Sequence, residues 1–200
     1  MADSRAAPLE PQAPALEVGD EGVFESIAAG HAARALELLI TRYGESIYGY
    51  CRRVLGNDAD GDDVSQLVFL QAFEGISARV PVKNVSGWLK GIARHRCLDR
   101  IRSRRRGPSP VAGTHLERAL DDAAAPLLPL HDPRAFRFLD ECLDGLDDRS
   151  RVAIVLRFHD ELSYEEIGAR TGDTSGALRV RVSRGLIALR DCLEKKGVTP

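Results

Sequence analysis

The stretch LSYEEIGARTGDTSGALRVRVSR, residues 162–184, decides how the second half of the chain folds. Ser163 followed three residues later by Glu166 forms a capping box, which predicts the start of a short helix. Gly172 supplies a tight turn, and Thr174 is placed to cap a second helix. Two short helices joined by such a turn are typical of a helix-turn-helix motif.

The second of these helices has two distinct faces. Its apolar residues recur at helical spacing and are expected to face inward: Leu178, Val182, Leu186 and Leu189. Its polar and basic residues can point outward: Ser175, Arg179, Arg181 and Arg184. A helix of this width and charge suits the major groove of DNA, where an arginine either reads a guanine edge or holds a phosphate. A helical hairpin with surface arginines explains the caps but not the clustering of arginines.

Charge is distributed unevenly along the chain. The whole sequence has 28 Lys and Arg against 30 Asp and Glu, a formal net charge of −2. Residues 88–106 carry a net charge of +7, residues 107–148 carry −6, and residues 174–196 carry +4. A basic helix is by default a solvated surface, but two basic helices that each carry a further pattern indicate phosphate binding.

The first half of the chain contains three amphipathic segments of helical period. The first ends at Gly56, the second is expected to start near Asp60, and the third is capped by Asn84. Their apolar positions include Leu36, Ile40, Tyr43, Ile47, Cys51 and Val54, then Val64, Leu67, Val68, Phe69, Ala72, Phe73 and Ile76, then Val85, Leu89, Ile92, Ala93, Cys97 and Ile101. No segment alternates with period two over a useful length, so the predicted class is all-α.

Composition divides the chain into four parts. We expect a disordered leader at 1–23, a helical domain at 24–106, an acidic proline-containing flexible linker at 107–133 and a second small helical domain at 134–197. Neither a secretion signal nor a stretch long enough to span a membrane is found, which predicts a cytoplasmic protein without membrane insertion.

The four cysteines stand alone in the sequence. Cys51, Cys97, Cys142 and Cys192 form no C-x-x-C pair and have no histidine at zinc-finger spacing. This spacing argues against both a structural metal site and a disulfide scaffold. We therefore expect reduced and mostly buried thiols.

Signatures of catalysis and cofactor binding are weak. Asp58, Asp60 and Asp62 alternate as in a calcium loop, but Asp63 stands where the loop needs glycine and Phe69 where it needs glutamate. Helix capping explains these carboxylates better. Phosphate-cradling, zinc-protease and nucleophile-elbow motifs are all missing from the sequence. We expect no catalytic residue, no metal and no cofactor, and hence no enzyme.

Three motifs in order resemble the bacterial RNA polymerase sigma factors of the sigma-70 family. DDVSQLVFLQAF at 62–73 resembles their polymerase-binding helix, and WLKGIARHRCLDRIR at 88–102 looks like their promoter-melting helix, both in region 2. The stretch at 162–184 is similar to the helix-turn-helix of region 4. A chain with only these two regions and a short linker resembles the extracytoplasmic-function group, and the resemblance covers about residues 24–196.

The resemblance implies a fold, a function and a set of binding residues. It implies a helical bundle for region 2, a helix-turn-helix for region 4, and a subunit that directs core polymerase to promoters and helps to melt the minus-10 element. The polymerase-binding residues would be Asp63, Gln66 and Phe69. Those at the minus-10 element would be Trp88, Lys90, Arg94, His95, Arg96 and Arg100. Those at the minus-35 element would be Ser175, Ala177, Arg179, Arg181 and Arg184.

The sequence departs from the family pattern at several of these places. Leu67 stands where an acidic residue is usual, His95 where asparagine is usual, and Asp173 where an apolar residue is usual. The implied partners are core RNA polymerase and promoter DNA, with an anti-sigma factor as a further candidate. Two alternatives are an autonomous helix-turn-helix regulator and a metal-dependent nucleic-acid-processing enzyme that uses the carboxylates at 58–63.

Overall fold

The computed structural model describes residues 20–104 and 133–198, and every regular element within these ranges is a helix. The predicted all-α class is therefore confirmed. The elements are α1 (Glu21–Ala28), α2 (Ala32–Leu55), α3 (Asp58–Ser77), α4 (Val85–Arg104), α5 (Pro133–Asp144), α6 (Asp148–Phe158), α7 (Tyr164–Thr171) and α8 (Ser175–Lys195). We call α1–α4 the first bundle and α5–α8 the second bundle. The predicted linker falls almost wholly outside the described residues, as does most of the predicted leader.

Helix α2 is the central element of the first bundle and packs against α1, α3 and α4. Its inward face carries fully buried residues such as Leu39 and Val54, which meet Leu89 of α4 in one apolar core. The helix ends at Gly56, whose φ of 73° is a left-handed conformation that glycine adopts without a steric penalty. Asn57 then caps α3 by accepting from the Asp60 amide at 2.9 Å, so α3 starts two residues before the predicted position.

The first bundle begins inside the segment that we expected to be a disordered leader. Val23 of α1 is buried in the core. Just before the helix, Asp20 accepts a hydrogen bond from the Tyr43 hydroxyl at 2.8 Å and pairs with Arg42 at 3.2 Å. The predicted leader is therefore wrong for residues 20–23. The signal was hidden because α1 has only eight residues, too few to show a clear helical period.

The helix-turn-helix of the second bundle forms at the predicted residues. Ser163 and Glu166 make the reciprocal capping box, and the Thr174 hydroxyl accepts from the backbone of α8. The turn brings backbones close together: a Cβ on Gly168 would lie 2.6 Å from the carbonyl oxygen of Asp173. Only glycine fits this approach, which fixes the angle between α7 and α8.

A disulfide bond between Cys142 and Cys192 joins α5 to α8, with the two Cα atoms 5.8 Å apart. Our expectation of four reduced thiols is therefore wrong for this pair. The two residues are 50 positions apart in the sequence, and only the packing of α5 on α8 shows that they meet. Cys51 and Cys97 are free and buried, as expected. A hydrogen bond between these two thiols, together with burial, raises the pKa of Cys97.

The two bundles touch each other directly. Helix α2 of the first bundle packs against α6 and, less extensively, against α5 of the second. The contact includes Arg151 of α6, a charged residue whose side chain is only 4% exposed. The composition of the chain, which predicted two separate domains, gave no indication of this contact.

Candidate nucleic-acid interface

The outward face of α8 carries two exposed arginines, Arg179 and Arg184. The Arg179 guanidinium lies over the ring of Tyr164, 5.7 Å from its centroid. Ser175 and Ala177 are half-buried near the start of the same helix. The first turns of a helix that carries long basic side chains have the width and the positive charge that fit the major groove of DNA.

Arg181 has a different environment from its neighbours on α8. Its guanidinium donates to both carboxylate oxygens of Asp173, at 2.8 and 3.4 Å, and both side chains are 18% exposed. A bidentate pair of this kind fixes the turn between α7 and α8. Asp173, which departs from the family pattern, therefore has a structural partner. The structure does not place Arg181 on the open surface with Arg179 and Arg184.

Some of the residues predicted to bind DNA on the basic helix α4 are exposed, and others bond to side chains of the protein itself. Lys90 and His95 are exposed, and Trp88 is half-buried against Gly75 of α3. Arg96 donates to the side-chain oxygen of Gln71 at 2.7 Å. The surface of α4 is thus positive, but several of its cations have partners within the protein.

Carboxylates of α3 hold two more arginines of α4. Arg100 pairs with Asp60 at 3.0 Å and with Asp63 at 3.4 Å, and Arg104 also pairs with Asp60. Of the three carboxylates that raised the possibility of a calcium loop, Asp58 and Asp60 thus pair with arginines, and Asp62 accepts from the Gln66 side-chain amide at 3.0 Å. Within the part of the chain that the structure describes, no three His, Cys, Asp or Glu side chains are grouped to hold a metal ion.

Helix α3 shows which residues are available to a partner protein. Phe69 is only 9% exposed and belongs to the apolar core, so its predicted role as a surface anchor is not supported by its position. Gln66 and Asp63 are exposed, and so are the apolar side chains of Leu67 and Leu70, at 40% and 54%.

The four exposed residues Asp63, Gln66, Leu67 and Leu70 follow the i, i+3, i+4, i+7 pattern of one helix face. We call them the α3 face. Our sequence analysis assigned Leu67 to the buried stripe and did not single out Leu70. Leu67 and Leu70 lie four and seven residues after Asp63, and this helical spacing is the signal that could have placed them on the same face.

One carboxylate at the contact between the bundles is nearly inaccessible. The side chain of Asp160, in the turn after α6, is 2% exposed and accepts from Arg94 Nε at 2.6 Å and from the Tyr50 hydroxyl at 2.9 Å. Burial opposes its ionisation, but hydrogen bonds from His159 and Arg94 outweigh burial and hold the pKa of Asp160 below its usual value. Burial and the neighbouring Asp160 charge raise the pKa of Tyr50, which stays a neutral donor.

Comparisons with known proteins agree with this architecture. The model of Sigma-70 region 2 matches residues 39–107, and the model of Sigma-70 region 4 matches residues 142–191. The ECF RNA polymerase sigma factor SigE of Mycolicibacterium smegmatis is 31% identical over 182 residues, which cover 91% of this chain and 70% of that protein.

Two further relatives span a similar part of the chain. The sigma factor CarQ of Myxococcus xanthus is 32% identical over 81% of this chain and 91% of its own length. SigW of Bacillus subtilis is 30% identical over 76% of this chain and 85% of its own. A solved structure of RpoE with the anti-sigma factor NepR from Bartonella quintana has a TM-score of 0.47 and 19% identity, and covers 78% of this chain and 94% of that one.

The chain belongs to the sigma-70 family of RNA polymerase sigma factors, in its ECF group. Its function is that of a sigma factor, which directs core RNA polymerase to promoters during transcription initiation. The first bundle contains region 2, and the second contains region 4. Among the helices at 20–104 and 133–198, none is long and apolar enough to cross a membrane.

Proposed function

We propose that the two bundles divide promoter recognition between them. Region 4 binds the minus-35 element through α8, with Arg179 and Arg184 as the contacting cations and Ser175 and Ala177 at the entry of the helix. Arg181 acts through its pair with Asp173, which holds the turn. The observation that carries this assignment is the exposure of Arg179 and Arg184 on a helix whose Leu178 and Val182 are buried.

Region 2 binds the separating strand of the minus-10 element along α4. The residues that we assign to this strand are Trp88, Lys90, Arg94, His95, Arg96 and Arg100. The support is a positively charged helix with one half-buried indole, since aromatic stacking and phosphate contacts suit unpaired bases. Lys90 is exposed, and the exposed His95 lies 3.2 Å from Asp99, whereas Arg94, Arg96 and Arg100 must exchange their protein partners for DNA.

The α3 face binds core polymerase. Its two exposed leucines lie beside Gln66 and Asp63, so that an apolar centre has polar neighbours, as at protein interfaces with a few dominant residues. Phe69 supports this face from below rather than touching the partner. The domain limits follow the bundles: region 2 from Asp20 to about residue 106, and region 4 from about residue 134 to 197.

The chain acts as a non-catalytic subunit in the cytoplasm, where core polymerase and the chromosome are found. An anti-sigma factor is a candidate regulator, as in the complex of RpoE with NepR. The alternative of an autonomous regulator predicts tight promoter binding without polymerase. The alternative of a metal-dependent enzyme requires carboxylates that here pair with Arg52, Arg100 and Arg104.

Transcription in vitro tests the proposal. The purified chain is added to core polymerase on a library of promoters, with and without the substitutions Arg179→Ala and Lys90→Ala. We expect promoter-specific transcripts only when both components are present, and a loss with either variant. Tight promoter binding by the chain alone, with no dependence on polymerase, would favour the autonomous regulator.

A further inference from the structure

Tyr164, the first residue of α7, contacts one arginine from the helix before it and one from the helix after it. The guanidinium carbon of Arg157, near the end of α6, lies 5.3 Å from the centroid of the Tyr164 ring. The guanidinium carbon of Arg179, in α8, lies 5.7 Å from the same centroid. Both distances are within the range of about 6 Å over which a guanidinium is attracted to the face of an aromatic ring. One ring therefore links α6, α7 and α8.

The position of the Tyr164 ring is fixed by its backbone and by packing. The Ser163 amide donates to Glu166 Oε2 at 2.9 Å, and the Glu166 amide donates to Ser163 Oγ at 3.2 Å. These two hydrogen bonds hold the first turn of α7 and so set the direction in which the Tyr164 side chain leaves the helix. The side chain is half-buried and packs against the apolar core. The ring is therefore the fixed member of the contact, and the longer arginine side chains are the mobile ones.

The two arginines that share this ring differ in their surroundings. Arg157 is half-buried, and its Nη1 atom also donates to the carbonyl oxygen of Leu162 at 3.1 Å, which ties it to the turn between α6 and α7. Arg179 is exposed on α8, the helix that we assign to the minus-35 element. Tyr164 thus holds an inner arginine that belongs to the turn and an outer arginine that faces solvent.

A ring contact changes what it costs an exposed arginine to bind DNA. A free arginine side chain samples many rotamers, and binding to a base or a phosphate removes most of that freedom. Contact with a fixed ring restricts the rotamers before DNA arrives, so that less conformational entropy is lost on binding. A guanidinium can contact a ring through its flat face while the N–H groups at its edge stay free to bind a guanine or a phosphate. The contact with Tyr164 is therefore compatible with DNA binding by Arg179 and favours it.

We propose that Tyr164 is a positioning residue for the minus-35 element, because its ring holds the Arg179 guanidinium in the orientation in which it meets DNA. The proposal rests on the role proposed above for Arg179. It assigns to the Tyr164 ring an effect that passes through this arginine, rather than a contact of the hydroxyl with DNA. Arg184 lies five residues further along α8 and about 140° round the helix axis, so it serves as a control arginine on the same helix.

Proton–nitrogen NMR of the arginine side chains tests the contact in the full chain without DNA or polymerase. A ring current shifts the Nε–H signal of a guanidinium that lies over the ring, so we expect Tyr164→Leu to move the Arg179 signal. Tyr164→Phe keeps the ring and should leave this signal nearly in place, and the Arg184 signal should stay unchanged in both variants. Backbone amide signals of α8 check that the helix itself has not moved. An unmoved Arg179 signal in Tyr164→Leu, or equal movement of the Arg184 signal, would overturn the proposal.

Transcription with core polymerase measures what the contact does at a promoter. We expect Tyr164→Leu to lower transcription from the preferred minus-35 sequence by about two- to fivefold, the size of one exposed cation–π contact. Tyr164→Phe should restore the wild-type level because it retains the ring, and circular dichroism checks that both variants keep their helix content. A loss with Tyr164→Phe as large as the loss with Tyr164→Leu would assign the effect to the hydroxyl and overturn the proposal.

Combined variants decide whether Tyr164 acts through Arg179. In an Arg179→Ala chain, Tyr164→Leu should have no further effect on transcription, whereas in an Arg184→Ala chain it should keep its full effect. Equal effects in the two backgrounds would overturn the proposal even if both arginines bind DNA. Full activity of Arg179→Ala alone would overturn the role of Arg179 and, with it, the role of Tyr164. The NMR signal needs no DNA, so it shows separately whether the ring contact exists.

Discussion

The two bundles present the arginines that we assign to DNA in opposite ways. In region 4, Arg179 and Arg184 are exposed on a helix that is already capped and fixed by its turn. In region 2, Arg94 and Arg100 have carboxylate partners, and the partner of Arg94 belongs to the other bundle. The arginines that we propose for the duplex are thus exposed in the free chain, whereas Arg94 and Arg100, which we propose for the separated strand, are paired within the protein.

The bundles also differ in what holds them together. Region 2 has a continuous apolar core with two free buried thiols, Cys51 and Cys97. Region 4 is smaller, and the disulfide between Cys142 and Cys192 ties its first helix to its last. A small bundle buries less surface per residue, so a covalent link contributes a larger share of its stability.

The largest effect that would sharpen this comparison is loss of the disulfide. Closing a loop of 50 residues is worth about 4 kcal/mol on the chain-entropy account. We expect Cys142→Ser/Cys192→Ser to lower the unfolding free energy of region 4 by about 2–4 kcal/mol and to leave region 2 nearly unchanged. Urea unfolding, followed separately for the two bundles by hydrogen exchange, measures both.

Dithiothreitol supplies the control for that experiment. It should destabilise the wild type as the double substitution does, and it should have no further effect on the variant. Equal stability of region 4 with and without the reductant would show that the bond contributes nothing to the fold.

A second prediction separates core from surface on α3. Phe69→Ala should destabilise region 2 by about 3 kcal/mol, because it leaves a cavity in the core. Leu70→Ala should change stability by less than about 0.5 kcal/mol but weaken binding to core polymerase by about 1–2 kcal/mol. Thermal unfolding and co-purification with core polymerase are the two measurements. Normal polymerase binding by a folded Leu70→Ala variant would remove the α3 face from the interface.

A third prediction concerns the two exposed arginines of α8. If Arg179 reads a base, Arg179→Ala should cost about 1–3 kcal/mol of promoter binding and relax preference at one position. If Arg184 holds a phosphate, Arg184→Ala should weaken all promoters equally and lower the salt slope by about one. Transcription from single-base promoter variants at two salt concentrations distinguishes the cases. Full activity of both variants would leave α8 as a solvated basic surface.

The smallest expected effect is a pH dependence of the contact between the bundles. The pKa of Asp160 is lower in the folded chain than in the unfolded one, so its ionised form stabilises the contact. This stabilisation is complete above the unfolded value of about 3.9 and is lost as pH falls through the lower folded value. Small-angle X-ray scattering followed from pH 6 downward should show expansion only at pH values below the unfolded pKa. The Asp160→Asn variant should show no corresponding transition, and an identical acid expansion there would assign the effect to other groups.

Much of each bundle could be predicted from local sequence. The capping box at Ser163, the left-handed turn at Gly172 and the cap at Thr174 all lie where the residue types placed them. These features depend on hydrogen bonds within a few residues, so the sequence of the segment is sufficient. The end of α2 at Gly56 follows for the same reason.

Other site features required neighbours that are distant in the sequence. The sequence places Arg181 and Arg179 together among the outward residues of α8, yet Arg181 pairs with Asp173 in the turn before the helix. Phe69 and Leu70 are adjacent apolar residues, and only the position of the bundle core decides which of them is buried. The helical period predicts which face a residue occupies only to within about one position. This precision is too low to decide which of two nearby residues, such as Phe69 and Leu70, is buried.

The amino-acid sequence by itself determined the all-α class, the helix ends and the sigma-factor motifs, because each depends on residue type and short spacing. Tertiary structure alone decided that Cys142 meets Cys192, that Arg151 enters the end of α2, and that Asp160 holds Arg94. These contacts join residues 50 to 97 positions apart. The physical reason is that such pairs form only when packed helices bring them within a few ångströms, and no local preference encodes that distance.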